Sequence, residues 1–193
     1  MTAARRNVQH NRVRIIGGTW RSRLLRFPDC AGLRPTPDRV RETLFNWLGQ
    51  RLDGLACVDL FAGSGALGFE ALSRGAARVV MVERDPSARA ALRSNAAALK
   101  ATALELVEGD AIAWLERGTE LFDCAFVDPP YASGLAARAL ELLPGRLRPG
   151  ASVYVETAAS LEPGAPWSVL REGRAGAVRF ALYTLDRPPG SPP

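Results

Sequence analysis

From residue 50 onward the sequence alternates short apolar runs with stretches of helix-forming residues. The apolar runs predict strands at 55–61, 79–83, 104–107, 122–127 and 152–156. The stretches between them predict helices at 66–74, 86–99, 111–117 and 135–147. Strands that alternate with crossover helices form a parallel sheet with helices on both faces. The sequence therefore predicts an α/β fold.

Both ends of the chain depart from this alternation. The β-rich runs 167–171 and 177–185 have no helix between them and predict an antiparallel hairpin at the sheet edge. Residues 12–27 predict two short strands around a turn at Gly17-Gly18. A helix opening at Thr36-Pro37 has an apolar stripe of Val40, Leu44, Trp47, Leu48 and Leu52, with Arg39, Arg41, Glu42 and Asn46 off it. We expect a β extension at 1–33, a main domain at 34–186 and a disordered tail at 187–193.

Several function classes are excluded by residue counts. The chain has one histidine, His10, and three cysteines, Cys30, Cys57 and Cys124, without metal-ligand spacing. A Ser-His-Asp triad, a Cys-His pair, a disulfide framework and a metal site are therefore not expected. The chain has no apolar run of roughly 18 residues, and its polar amino-terminal segment predicts no signal peptide. We expect a cytoplasmic monomer without a membrane span.

Positive charge is concentrated at the amino-terminal end. Residues 1–41 hold ten arginines and two acids, a balance of +8, whereas the remaining residues carry a balance of −3. A basic segment on a mildly acidic body is typical of a surface that binds an anionic polymer such as RNA.

A glycine-rich loop follows the first predicted strand of the alternating region. Gly63, Gly65 and Gly68 fit the pattern G-x-G-x-x-G, and Glu83 lies twenty residues beyond Gly63. The pattern is typical of a dinucleotide site, in which the acid binds ribose hydroxyls. It fits S-adenosylmethionine equally well.

Acidic residues distinguish between these two cofactors. Asp59 precedes the loop, where it would repel a pyrophosphate but attract the cationic end of S-adenosylmethionine. Asp59, Glu83, Asp110 and Asp128 each stand at or just past the end of a predicted strand. We expect Gly63 and Gly65 to make room for the methionine and ribose, Glu83 to bind the ribose, and Asp110 to bind the adenine amine.

Asp128-Pro129-Pro130-Tyr131 follows the predicted strand 122–127. Two prolines cannot continue a strand, and they leave the Pro129 carbonyl free to accept a hydrogen bond. The Asp128 carboxylate and this carbonyl can accept the two protons of an amino group, while a planar base stacks on Tyr131. The pattern indicates methyl transfer to an exocyclic amine, on either guanine or adenine.

The segment from Asp59 to Gly68, together with Asp128 to Tyr131, resembles the class I S-adenosylmethionine-dependent amino-methyltransferases. The segments Arg14–Arg21 and Leu33–Leu48 narrow the resemblance to the bacterial 16S ribosomal RNA guanine-N2 methyltransferases. This resemblance implies a Rossmann-like seven-stranded, mostly parallel sheet with a small β extension. It also implies a 16S ribosomal RNA substrate within the small ribosomal subunit. The family usually has Arg-Gly-Arg-Lys-Leu where this chain has Arg-Ser-Arg-Leu-Leu at 21–25, which puts the RNA contacts there in doubt.

Three sets of candidate site residues follow. The catalytic set is Asp128, Pro129, Pro130 and Tyr131. The cofactor-binding set is Arg34, Thr36, Asp59, Phe61, Ala62, Gly63, Gly65, Glu83, Arg84, Asp110 and Ala111, of which Arg34 and Thr36 rest on the resemblance alone. The RNA-binding set is Arg14, Trp20, Arg21, Arg23, Arg26 and Arg39, although Trp20 could equally pack the extension onto the sheet. Adenine-N6 methylation, a non-catalytic assembly factor and a dinucleotide-dependent oxidoreductase are the alternative functions.

Overall fold

The computed structural model describes residues 10–29, 35–130, 134–158 and 160–186. Seven strands form the central sheet: β3 (Ala56–Asp59), β4 (Arg78–Glu83), β5 (Leu104–Glu108), β6 (Phe122–Val127), β7 (Leu147–Thr157), β8 (Trp167–Ala175) and β9 (Val178–Leu185). Their order across the sheet is β5-β4-β3-β6-β7-β9-β8. Strands β3 to β7 pair in parallel, whereas β9 pairs antiparallel with both β7 and β8. The predicted mostly parallel sheet with an antiparallel carboxyl-terminal hairpin is confirmed.

Helices cover both faces of this sheet. They are α1 (Asp38–Trp47), α2 (Ala66–Ser73), α3 (Pro86–Leu99), α4 (Ala111–Arg117) and α5 (Leu135–Leu142), followed by a short 3-10 helix at Leu143–Arg146. Buried side chains of α1, α2 and α3 pack on one face, and those of α4 and α5 pack on the other. Within the described ranges, no helix combines the length and the apolar character that crossing a membrane requires.

Two acidic residues determine where helices begin beside the cleft described below. Asp85 accepts a hydrogen bond from the Ala88 N–H at 2.8 Å, and Pro86 takes the first helical position of α3, as the sequence predicts. Asp110 accepts bonds from the Ile112 and Ala113 N–H groups at 3.0 Å and caps α4. Both helix amino termini therefore lie at the carboxyl edge of the sheet.

The predicted β extension is present and packs on the α1–α3 face. It consists of β1 (His10–Arg14) paired antiparallel with β2 (Leu24–Pro28). Asn95 on α3 exchanges two hydrogen bonds with the backbone of Arg26, and Ser73 on α2 accepts one from the Trp20 N–H. The predicted boundary between residues 33 and 34 and the predicted tail at 187–193 lie outside the described residues.

Three details of the prediction are wrong. Helix α1 ends at Trp47, because Gly49 and Gln50 take a left-handed backbone conformation (φ 89° and 64°). The predicted helix 135–147 gives way to the 3-10 helix, because Pro144 cannot continue the α-helical hydrogen bonding. Arg41, placed off the buried stripe, is fully buried, because side chains of α1 and α2 and the backbone of β1 surround its guanidinium.

Candidate active site

A cleft of about 240 Å³ opens at the carboxyl edge of β3, β4, β5 and β6. Parallel α/β sheets bind ligands at this edge, close to the point where the strand order reverses. In this sheet the reversal lies at β3, whose neighbours β4 and β6 both run parallel to it. The cleft therefore lies where the topology predicts a ligand site.

Most of the predicted site residues lie together in this cleft. Those that line it are Thr36, Asp59, Phe61, Ala62, Gly63, Glu83, Arg84, Asp110, Ala111, Asp128, Pro129 and Pro130. Arg34 and Tyr131 lie outside the described residues, so their predicted roles stay predictions. The sequence interpretation missed Pro35, Leu60, Ser64, Ala66, Leu67, Val82, Asp85, Gly109 and Leu135. Most of these neighbour predicted residues in the chain, whereas Leu135 is brought in by the fold alone.

The loop between β3 and α2 contains two glycines in the left-handed region. Gly63 (φ 50°) lines the cleft, whereas Gly65 (φ 77°) does not. A Cβ atom on Gly65 would lie 2.5 Å from Leu92 Cδ2 and 2.7 Å from the Phe69 ring. A side chain at position 65 would therefore clash with the core beneath the loop, and the expectation that Gly65 makes room for a ligand stays a prediction.

Asp59 lies at the end of β3 and is buried. Its Oδ2 accepts a hydrogen bond from the Gly68 N–H of α2 at 3.1 Å. Burial and the nearby Glu83 carboxylate raise the pKa of Asp59 to about 7, although backbone hydrogen bonds oppose the shift. Ionising this buried carboxyl group costs free energy, and a bound positive charge would stabilise the ionised form. The site therefore favours a cationic ligand.

Glu83 is the carboxylate at the end of β4. It accepts hydrogen bonds from the Gly63 N–H at Oε2 and from the Asp85 N–H at Oε1, both at 2.7 Å. It therefore fastens the glycine loop to the start of α3. Both oxygens keep a second lone pair for a ligand hydroxyl.

Asp110 is exposed at the mouth of the cleft and caps α4. Both of the backbone bonds that it accepts end on Oδ1. Capping alone accounts for an acid at this position, so its contact with the adenine amine stays a prediction.

Asp128 follows β6 and is fixed by a distant residue. The Thr36 hydroxyl donates a hydrogen bond to Asp128 Oδ2 at 3.1 Å, across 92 positions of sequence. Burial and the Glu156 carboxylate raise the pKa of Asp128 well above its ordinary value, and Asp59 adds to the shift, while the Thr36 bond lowers it. Pro129 is buried beside it, and Pro130 is exposed.

Most of the charged side chains that line the cleft are acidic. Five carboxylates (Asp59, Glu83, Asp85, Asp110 and Asp128) and one guanidinium (Arg84) face it among the described residues. A pyrophosphate would be repelled here, whereas an ammonium or sulfonium group would be attracted. The electrostatics argue against the dinucleotide interpretation of the glycine loop. Within the described ranges, the cleft included, no group of three or more histidine, cysteine or acidic side chains could hold a metal ion.

The predicted RNA-binding arginines all lie at the surface of the extension or of α1. Arg14, Arg21, Arg23, Arg26 and Arg39 are exposed, and Arg14 pairs with Asp38 at 3.2 Å. Trp20 is partly buried against the core, so the structure favours the packing alternative for it. Arg12, which is outside the predicted set, is also exposed and lies directly across from Arg26 in the β1–β2 pair. The alternation of Val13 with Arg12 and Arg14 could have indicated this shared outer face.

Comparison with known proteins relates the chain to methyltransferases. A family model described as conserved hypothetical protein 95 matches residues 13–184. A ribosomal RNA small subunit methyltransferase D from Escherichia coli (strain K12) is 46% identical over 181 residues, which cover 90% of each chain.

Solved structures agree with this relationship. An Escherichia coli protein described as a methyltransferase has a TM-score of 0.82 and 43% identity, covering 91% of this chain and 99% of that one. An RNA methyltransferase from Salinibacter ruber, solved with S-adenosyl-L-homocysteine, has a TM-score of 0.64 at 20% identity, covering 82% of this chain and 98% of that one. The latter similarity concerns the fold, which is the class I Rossmann-like methyltransferase fold.

Proposed function

This chain belongs to the conserved hypothetical protein 95 family, a family of methyltransferases, and we propose that it transfers a methyl group from S-adenosylmethionine to the exocyclic N2 of a guanine in 16S ribosomal RNA. The observation that carries the proposal is the Asp128-Pro129 pair at the edge of an acid-lined cleft. A ribosomal RNA substrate would put the reaction in the cytoplasm, on or near the small ribosomal subunit.

The cleft fits S-adenosylmethionine by the chemistry of its donor set. Asp59 and the other carboxylates suit the ammonium and sulfonium charges, and Glu83 suits the ribose hydroxyls. When bound, the cofactor supplies a methyl group on a positively charged sulfur. The Salinibacter ruber RNA methyltransferase, which has a similar fold, was solved with S-adenosyl-L-homocysteine, and this is consistent with the choice.

The amino group of the target base would be held by Asp128 and by the carbonyl of Pro129. These two acceptors bind the two N–H groups, which favours the tetrahedral geometry that exposes the nitrogen lone pair. Methylation of the amino group would leave its nitrogen with one proton to release. The ionised Asp128 carboxylate would accept that proton, and its raised pKa makes it a stronger base than an ordinary carboxylate. Positioning then supplies most of the rate enhancement.

Guanine is favoured over adenine by the resemblance of the segments Arg14–Arg21 and Leu33–Leu48 to guanine-N2 methyltransferases, and not by the tetrapeptide. The basic extension would bind the RNA phosphates. The target guanine must leave its stack, because its amine is otherwise out of reach of Asp128.

The test is methyl transfer from labelled S-adenosylmethionine to small ribosomal subunits from cells that lack this activity, followed by nucleoside digestion and mass spectrometry. We expect N2-methylguanosine with the wild-type protein, and at least a hundred-fold less with Asp128→Ala. Calorimetry with S-adenosylhomocysteine should show that this variant still binds the cofactor product.

Other outcomes would contradict the proposal in different ways. N6-methyladenosine would keep the mechanism and replace the substrate. No transfer to subunits, naked ribosomal RNA or DNA, together with retained RNA binding, would indicate a non-catalytic assembly factor. Tight binding of a nicotinamide dinucleotide would instead restore the oxidoreductase alternative.

A further inference from the structure

Arg41 is a fully buried arginine whose guanidinium binds four groups. Its Nε donates to the Thr36 carbonyl at 3.1 Å, and one Nη donates to Glu70 Oε2 at 3.3 Å. The other Nη donates to the Arg14 carbonyl at 2.8 Å and to Asp38 Oδ1 at 2.6 Å. One side chain thus joins the extension, the start of α1, the Thr36 segment and α2.

The contact with Thr36 leads directly to the candidate catalytic carboxylate. Arg41 holds the backbone carbonyl of Thr36, and the hydroxyl of the same residue donates to Asp128 Oδ2. Because Thr36 is buried between these partners, its side chain cannot turn away without breaking a bond. Arg41 and Asp128 are therefore connected through hydrogen bonds to a single intervening residue.

Glu70 on α2 attaches the extension to the helix that also contacts Arg41. Its two oxygens accept hydrogen bonds from the Ile16 N–H at 2.8 Å and the Gly17 N–H at 2.7 Å. Arg74 adds an ion pair to Glu70 at 2.8 Å. The backbone of the extension is thereby fixed to α2 at the residue that also pairs with Arg41.

We propose that Arg41 is a positioning residue. It orients the Asp128 carboxylate through Thr36, and it fastens the basic extension to α1 and α2. The proposal rests on the proposed methyl transfer and adds a residue that touches neither base nor cofactor. Stability alone does not account for Arg41, since a buried ion pair is often no more stable than an apolar replacement.

Kinetics with RNA and methyl donor both saturating test the first part. Thr36→Val removes the hydroxyl, and we expect kcat to fall about ten-fold while the KM for RNA stays the same. Thr36→Ser keeps the hydroxyl and should recover most of kcat. Arg41→Lys keeps the charge but not the planar fork, so kcat should fall and the KM for RNA should rise.

A double variant shows whether Arg41 acts through Thr36. If it does, Arg41→Lys should lower kcat no further in the Thr36→Val background, although it should still raise KM. If the double variant instead loses kcat by the product of the two single losses, the residues act independently and the proposal is overturned. If Arg41→Lys does not fold, Asp38→Ala replaces it, because it removes one anchor of Arg41 from a half-exposed position and should act in the same direction.

Arg146 offers a matched control. It is also buried, and it donates to the carbonyls of Trp114, Leu115 and Glu120 on the opposite face of the sheet. Arg146→Lys should lower the thermal midpoint of unfolding while leaving kcat within two-fold. An equal loss of kcat in the two lysine variants would reduce Arg41 to a general structural role.

A measurement without turnover separates this proposal from the proposed function. The carboxyl carbon of Asp128 is titrated by NMR, with Asp128→Asn to identify its signal and with Asp59 and Glu156 as the neighbouring acids. Loss of the Thr36 hydrogen bond should raise the apparent pKa in Thr36→Val and Arg41→Lys, but not in Arg146→Lys. An unchanged pKa would refute the positioning role, whereas failure of wild-type methyl transfer alone would refute only the function.

Discussion

At the scale of single residues, Asp59 is an acid whose burial opposes its ionisation. Its folded pKa of about 7 lies above the ordinary value of 3.8 for the unfolded chain. Between these values the folded protein binds a proton that the unfolded chain has released, so stability falls as the pH rises through this window. The penalty is complete only above pH 7.

Asp59→Asn should remove this penalty, because an asparagine oxygen can still accept the Gly68 N–H without carrying charge. We expect the variant to gain stability over the wild type as the pH is raised from 5 to 8, by about 2–3 kcal/mol. Urea unfolding of both proteins at several pH values measures the difference. Parallel pH profiles would show that Asp59 is ionised throughout this range.

At the scale of elements, the turn from β3 into α2 is packed tightly against core side chains. Gly65 caps the amino terminus of α2 in the left-handed conformation. The side chains of Leu92 and Phe69 occupy the space that a Cβ atom on Gly65 would need. Gly68, one turn further, would bring a Cβ atom against Met81 and Asp59. The glycine spacing thus reflects helix-to-sheet packing as much as ligand binding.

Gly65→Ala should therefore cost about 2–4 kcal/mol of unfolding free energy, the sum of left-handed strain and overpacking. Gly134→Ala is the matched control, because Gly134 also begins a helix at positive φ (69°) but has open space around it. Its cost should be only about 1 kcal/mol. Equal losses in denaturant unfolding would mean that backbone strain, and not crowding by Leu92 and Phe69, dominates at Gly65.

At the scale of the whole molecule, charge is separated between the extension and the cleft. Arg12 and Arg26 lie directly across from each other on β1 and β2, an arrangement that costs stability unless an anion neutralises it. The cleft at the sheet edge is mostly acidic. This separation suits a protein that holds a polyanion on one surface and a cationic ligand in the cleft.

Replacing both Arg12 and Arg26 with glutamine should weaken binding to small-subunit RNA and make the plot of log K against log salt less steep by about 1–2. Stability should not fall, because a like-charge pair is removed. Fluorescence anisotropy at several salt concentrations measures the slope for the wild type and for the double variant. Arg117→Gln with Arg171→Gln, two exposed arginines outside the extension, should leave the slope unchanged; an equal change would indicate binding to net charge alone.

Local sequence by itself determined the order of the elements and the acids at the sheet edge. Periodicity, helix caps such as Asp85 and the glycine loop are short-range features, so they can be read from a few neighbouring residues. Tertiary structure alone decided that Arg41 is buried, that Gly65 faces the core and that Thr36 holds Asp128. Each of these depends on groups distant in sequence, 92 positions apart for Thr36 and Asp128, and only packing brings such groups into contact.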